Sequence, residues 1–98
     1  MAHSALKSSV PAANATVTSP ERLELTFSER VNPRFSKVTL KGPEGTPVEA
    51  GKLAVSDDGQ TLIVPLASPL SPGKYGLKWN ALSGDDHKVS GEYTFTVK

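Results

Sequence analysis

A chain of 98 residues has the size of one domain and can bury roughly 60 to 70% of its unfolded surface, enough for a single core. It contains no cysteine, which excludes disulfides, zinc-thiolate sites, iron-sulfur clusters and a cysteine nucleophile. Its 11 basic and 10 acidic side chains are interspersed, for a formal net charge of +1, and no charge run marks the chain for nucleic acid or an anionic membrane.

Met1-Ala2-His3 carries neither a basic n-region nor an apolar core, so any secretory signal is expected to have been removed already. Nothing further along approaches the roughly 18 apolar residues of a membrane span. Leu6, Ser8 and Val10 keep one phase up to Pro11, predicting a first strand that stops where proline removes a donor. Ala12 to Pro20 is small, polar and broken by proline, hence a loop. Arg22 to Ser28 alternates, with Leu23, Leu25 and Phe27 inward and Arg22, Glu24, Thr26 and Ser28 outward.

Asn32-Pro33 is expected to break the chain before a strand at Phe35 to Lys41. Pro43-Glu44-Gly45 reads as a turn, and Thr46 to Ala50 and Lys52 to Val55 as weak edge strands. Asp57-Asp58-Gly59 carries the signal of a tight hairpin leading into Thr61 to Leu66, the most continuously apolar run, expected mid-sheet. Ser71-Pro72-Gly73 turns the chain into a strand with Tyr75, Leu77 and Trp79 on one face, and a last strand puts Tyr93, Phe95 and Val97 on one face. Turns about every 8 to 12 residues, without helical periodicity, predict an all-β Greek-key sandwich or barrel of about seven strands, with residues 1–98 as a single domain.

Between the last two strands, Asn80 to Gly91 is rich in Ser, Gly and Asp and is expected to cross the surface as a loop that presents side chains. Asp85 and His87 stand two apart. In an extended backbone they point to one side, while Asp86 points away. A hard oxygen donor beside an imidazole suits a first-row divalent metal. A lone Asp-x-His pair is nevertheless more often solvated than metal-bound. Trp79 and Tyr93 read as core aromatics, Asp86 and Lys88 as solvated charges. No Ser-His-Asp order, phosphate loop or carboxylate pair points to an enzyme.

Several spaced segments carry a more specific signal. His3-Ser4-Ala5-Leu6-Lys7-Ser8-Ser9-Val10-Pro11-Ala12-Ala13, then Leu25-Thr26-Phe27-Ser28-Glu29, then Pro72-Gly73-Lys74-Tyr75 with Trp79-Asn80-Ala81, and finally Asp85-Asp86-His87-Lys88 with Gly91-Glu92-Tyr93-Thr94-Phe95 resemble, in this order, the CopC family. The likeness covers nearly the whole chain and is weakest between Gly42 and Gln60.

The resemblance implies a periplasmic copper-binding protein of bacterial copper resistance or uptake, with a cupredoxin-like or immunoglobulin-like fold and no catalytic role. In that family Cu(II) is held by the imidazole and α-amine of an N-terminal histidine together with the Asp and His of a D-x-H loop. Carried over by position, these are His3, Asp85 and His87. A glutamate after the Phe-Ser pair lies close to the metal, and Glu29 stands there, either as a ligand or as a neighbour of the ligands. Read from the residues alone, Glu29 is equally a strand-end surface charge. Partners implied by the resemblance are an inner-membrane copper transporter of the CopD type or a multicopper oxidase, met by a monomer.

Three nitrogens and one oxygen form a donor set that suits tetragonal Cu(II). The chain departs from the family pattern twice. Its single methionine, Met1, leaves no thioether cluster for Cu(I), so a Cu(II)-only member is expected. His3 is also preceded by two residues, and Met1-Ala2-His3 could wrap Cu(II) in amine, amides and imidazole without help from the fold. Two rival readings stand beside this one. The first is an immunoglobulin-like structural module with an incidental loop. The second is a monooxygenase resembling the N-terminal-histidine polysaccharide enzymes, which needs aromatic rings on its surface.

Overall fold

The computed structural model describes residues 6–84 and 86–98. Among the described residues nine strands form: β1 (Leu6–Val10), β2 (Thr16–Val17), β3 (Arg22–Phe27), β4 (Val31–Lys41), β5 (Pro47–Val48), β6 (Ala54–Val55), β7 (Thr61–Pro65), β8 (Gly73–Ser83) and β9 (Lys88–Val97). Three of them, β2, β5 and β6, are two residues long, which is why periodicity counts fewer. Pro43–Gly45 makes one 3-10 turn, with Glu44 at φ 64°. No helix among the described residues is long and apolar enough to cross a membrane.

The strands form a sandwich of two sheets, ordered β1-β3-β7-β6 and β2-β9-β8-β4-β5. Only β4–β5, β6–β7 and β8–β9 connect within a sheet; every other connection crosses between sheets in Greek-key fashion. The inward phases of β3, β7, β8 and β9 supply most of the core, including Leu23, Leu25, Phe27, Leu62, Val64, Tyr75, Leu77, Trp79 and Phe95. β7 lies inside its sheet between β3 and β6, as its apolar run predicts.

The stretch Ala12 to Pro20, expected as a loop, holds the short strand β2 paired with β9, and two further expectations are corrected. Asn80 to Gly91 is mostly strand: β8 runs on to Ser83, β9 starts at Lys88, and the ladder is continuous from Gly73↔Val97 to Leu82↔Lys88. Asn80, Lys88 and Ser90 face water while Ala81 and Ser83 face inward, so small residues on the buried side hid the alternation. Asn32-Pro33 does not end a strand either. β4 continues through it as a bulge, its register with β8 shifting between Asn32 and Lys37. Pro33 offers no donor to a ladder. The bulge is held locally, with the Ser36 hydroxyl donating to the Asn32 carbonyl (2.6 Å) and the Arg34 N–H to Asn32 Oδ1 (2.9 Å).

Trp79 joins the two layers. Its ring meets Phe27 of the opposite sheet edge-on at 6.3 Å and 67°. Its cross-strand partner is Gly91, whose missing side chain leaves room for the indole to lie against the backbone of β9. A Cβ at Gly91 would stand 2.4 Å from both Cη2 and Cζ2 of Trp79. Tyr93 follows at 6.3 Å from Trp79, and its hydroxyl donates to the Pro11 carbonyl (2.9 Å), tying β9 to the end of β1.

Gly91→Ala is therefore expected to cost about 1 to 3 kcal/mol through overpacking, read as a lower urea midpoint at unchanged m-value. Burial pushes the Tyr93 hydroxyl above its ordinary range, with a Ser9 hydrogen bond opposing it in part. The stability that goes with the neutral phenol is fully present below the unfolded value of about pH 10 and is lost as pH rises through the folded one. Unfolding midpoints measured across the alkaline range should fall more steeply for this chain than for Tyr93→Phe, which has no proton to lose there.

Candidate metal centre

Three connections meet at one end of the sandwich. The crossing Ser28–Arg30 leads from β3 into β4, the turn 56–60 joins β6 to β7, and the hairpin tip joins β8 to β9. Backbone hydrogen bonds lock them together: the Gly84 N–H donates to the Arg30 carbonyl (2.8 Å), and the Val31 N–H to the Gly59 carbonyl (2.9 Å). The Gln60 side-chain amide adds a bond to the Ser28 carbonyl (3.2 Å). β1 begins at this same end, since Leu6 is the register partner of Phe27.

The hairpin tip is tight. The Ser83 N–H donates to the His87 carbonyl (2.9 Å) and the Asp86 N–H to the Ser83 carbonyl (3.0 Å), while Asp86 sits at φ 65°. Asp86 thus takes the left-handed conformation found where tight hairpin turns rejoin the strand. Of the Asp-x-His stretch, Asp85 lies outside the described residues, and Asp86 between the two positions is left-handed rather than extended. His87 is placed instead by the ladder. Continuing the register beyond Leu82↔Lys88 sets it opposite Ser83, in the same phase as Val89 and Ala81, at the exposed margin of the core-facing side.

Ser83 is a residue that sequence reasoning missed. It is only 2% exposed, and its hydroxyl donates to the His87 carbonyl (3.1 Å), so a buried group fixes the backbone of the histidine. Its place in the inward phase of β8 was the available signal, obscured by reading the stretch as a loop. Glu29 is half-buried in the crossing between β3 and β4. Asp85 and His3 lie outside the described residues. Among the described residues no three His, Cys, Asp or Glu side chains are grouped as metal donors. Of the proposed set, the described members Glu29 and His87 come to one end of the fold, on segments joined through Arg30 and Gly84.

This end is rich in carboxylates, with Glu29, Asp57, Asp58 and Asp86 on its three connections. Hydrogen bonds from the Ser56 hydroxyl (2.6 Å) and the Gln60 N–H (3.0 Å) hold the Asp58 carboxyl below its usual range, so it keeps its charge in mild acid. Against these four carboxylates stands Arg30 of the same crossing, and the net negative charge that remains raises the local concentration of cations. Of the six aromatic residues, Phe35 alone is strongly exposed, at 66%, which leaves no aromatic platform of the kind a polysaccharide enzyme needs.

Comparison with known proteins agrees with the geometry. The family model described as the CopC domain matches residues 6–98. The chain is 42% identical over 106 residues to copper resistance protein C of Escherichia coli, covering 100% of this chain and 83% of that one. Among solved structures it is similar to PcoC, a methionine-rich copper resistance protein from Escherichia coli, with a TM-score of 0.89 and 39% identity over 99% of this chain and 100% of the other. It is also similar to CopC from Methylosinus trichosporium OB3b, with a TM-score of 0.88 and 32% identity over 98% and 94% of the two chains. A whole-chain match in sequence and fold, together with the convergence of the β3–β4 crossing and the β8–β9 tip, leads to one conclusion: this protein belongs to the CopC family.

Proposed function

We infer that the chain binds one Cu(II) at the end of the sandwich and acts as a copper carrier or buffer of the periplasm, in copper resistance or homeostasis. CopC-family proteins are periplasmic copper-binding proteins and not enzymes. The observation that supports the reading most is topological: the crossing with Glu29, the tip with His87 and the first residue of β1 all belong to one end. His3 is three residues before Leu6, a reach of roughly 10 Å for an extended chain. In this reading His3, Asp85 and His87 are the ligands, and Glu29 either completes the set or accepts a hydrogen bond from it. A carboxylate offsets part of the metal's charge, and neutral imidazoles bind, so protons compete with copper.

The finer reading is a Cu(II)-only protein. A relative is described as methionine rich, whereas this chain has one methionine, and a soft thioether cluster is what Cu(I) would call for. Residues 1–98 act in this reading as a single, monomeric domain, exchanging copper with an inner-membrane transporter of the CopD type or a multicopper oxidase.

Cu(II) titration followed by spin resonance is expected to reach one ion per chain with a nitrogen-rich tetragonal spectrum. His87→Ala should lower the affinity by more than the roughly 10- to 100-fold that loss of a ligand's hydrogen-bonding partner costs. Urea separates the folded site from a local Met1-Ala2-His3 chelate, because only the chelate survives unfolding. A soft chelator is expected to strip Cu(I) completely. A spectrum and stoichiometry unchanged in His87→Ala, or stoichiometric retention of Cu(I), would contradict the reading.

A further inference from the structure

Charges that alternate along the chain are regrouped by the sheet. In β4, β8 and β9, the outward phase carries Lys37, Lys41, Lys74, Lys78 and Lys88, and the only carboxylate in these three strands is Glu92. Glu92 reaches just one of them, Lys78, at 4.0 Å, with both side chains about 70% exposed, so the pair neutralises little. One broad face of a chain with a net charge of +1 is thus strongly basic.

At the middle of this face the chain breaks a local rule. Gly76 lies inside β8, the fourth of its 11 residues, paired with Lys41 on one side and Thr94 on the other. A glycine inside a strand weakens it unless something needs the space. At Gly91 the need is internal, since Trp79 fills the gap. At Gly76 it is not: an added Cβ would meet nothing within 4 Å, and the backbone is not in the left-handed region. The missing side chain opens a cavity of about 160 Å³ rimmed by Thr39, Lys41, Lys78, Glu92 and Thr94.

We propose that the outer face of the β2-β9-β8-β4-β5 sheet docks an acidic protein surface, which seats one apolar side chain in the cavity over Gly76. The lysines of this face, with Lys41 and Lys78 at the pocket itself, supply the charge complementarity, and the pocket supplies the anchor point that such interfaces use. A lipid or nucleic acid surface would use the lysines but has no need of the pocket, and the exposed ring of Phe35 lies by Asn80, Lys88 and Ser90 rather than at the pocket. The metal plays no part in this proposal, so it stands or falls separately from the copper reading.

The test uses the metal-free, isotope-labelled protein with four probes: a short glutamate-rich peptide with one central leucine, the same peptide with alanine there, phosphatidylglycerol vesicles and duplex DNA. The leucine peptide is expected to shift the amide signals of Thr39, Lys41, Gly76, Lys78 and Thr94, and to bind roughly tenfold more tightly than the alanine peptide. The double change Lys41→Glu with Lys78→Glu should weaken both peptides, by roughly tenfold or more at low salt. Gly76→Val should abolish the preference for leucine while leaving the unfolding midpoint the same or higher, since a β-branched residue suits a strand and the space is open. Signals shifting elsewhere, equal binding of the two peptides, a preference that survives Gly76→Val, or tighter binding of the vesicles or the DNA would each overturn the proposal.

Discussion

The contact between Trp79 and Gly91 organises this molecule. Among the inward rings of this sheet, Trp79 reaches the opposite layer by lying across a cross-strand neighbour with no side chain. The same ring meets Phe27 edge-on, at the last position of β3 before the crossing that carries Glu29. The β8–β9 hairpin and the β3–β4 crossing are thereby packed on one aromatic contact, and their tips emerge at the same end. Buried Ser83 then holds the histidine's backbone in place. The fold thus prepares a site on a stiff hairpin, where backbone geometry changes little on binding, rather than on a long mobile loop.

Electrostatics divides the surface in two. The end with the three connections carries the carboxylates of Glu29, Asp57, Asp58 and Asp86, whereas the outer face of the five-stranded sheet carries five lysines against one glutamate. A cation is drawn to the first region and repelled by the second. A macromolecule with an acidic surface is drawn to the second. The two regions share the β8–β9 hairpin, so a partner resting on the lysine face would lie beside the strands that hold the histidine, without covering the acidic end itself.

Much of this was legible in the residues. The alternation of Leu23, Leu25 and Phe27, and of Tyr75, Leu77 and Trp79, named both core faces, and Pro11 and Asp57-Asp58-Gly59 marked real boundaries. The hairpin tip was misjudged because its buried positions hold Ala81 and Ser83, too small or too polar to register as an apolar phase, and the break expected at Asn32-Pro33 is absent because hydrogen bonds inside the bulge let Pro33 lie within a strand. The lysine face was hidden for another reason. Lysines four apart on β4 and β8 look scattered along the chain, and only cross-strand registry puts them side by side. The candidate ligands drew their assignment from the resemblance rather than from spacing, since a lone Asp-x-His says little about what gathers around it.

The central claim is that copper sits at the end where the β3–β4 crossing, the 56–60 turn and the β8–β9 tip converge. Paramagnetic broadening of amide signals by one equivalent of Cu(II) tests it directly, because the effect falls steeply with distance and the molecule is 38 Å long. The account predicts loss of the signals of Glu29, Arg30, Gly59, Gly84 and His87, with Gly45 and Gly73 at the opposite end remaining sharp. Sharp signals at Glu29, Gly59 and Gly84 in the copper-loaded protein, or broadening centred on Gly45 and Gly73, would contradict it.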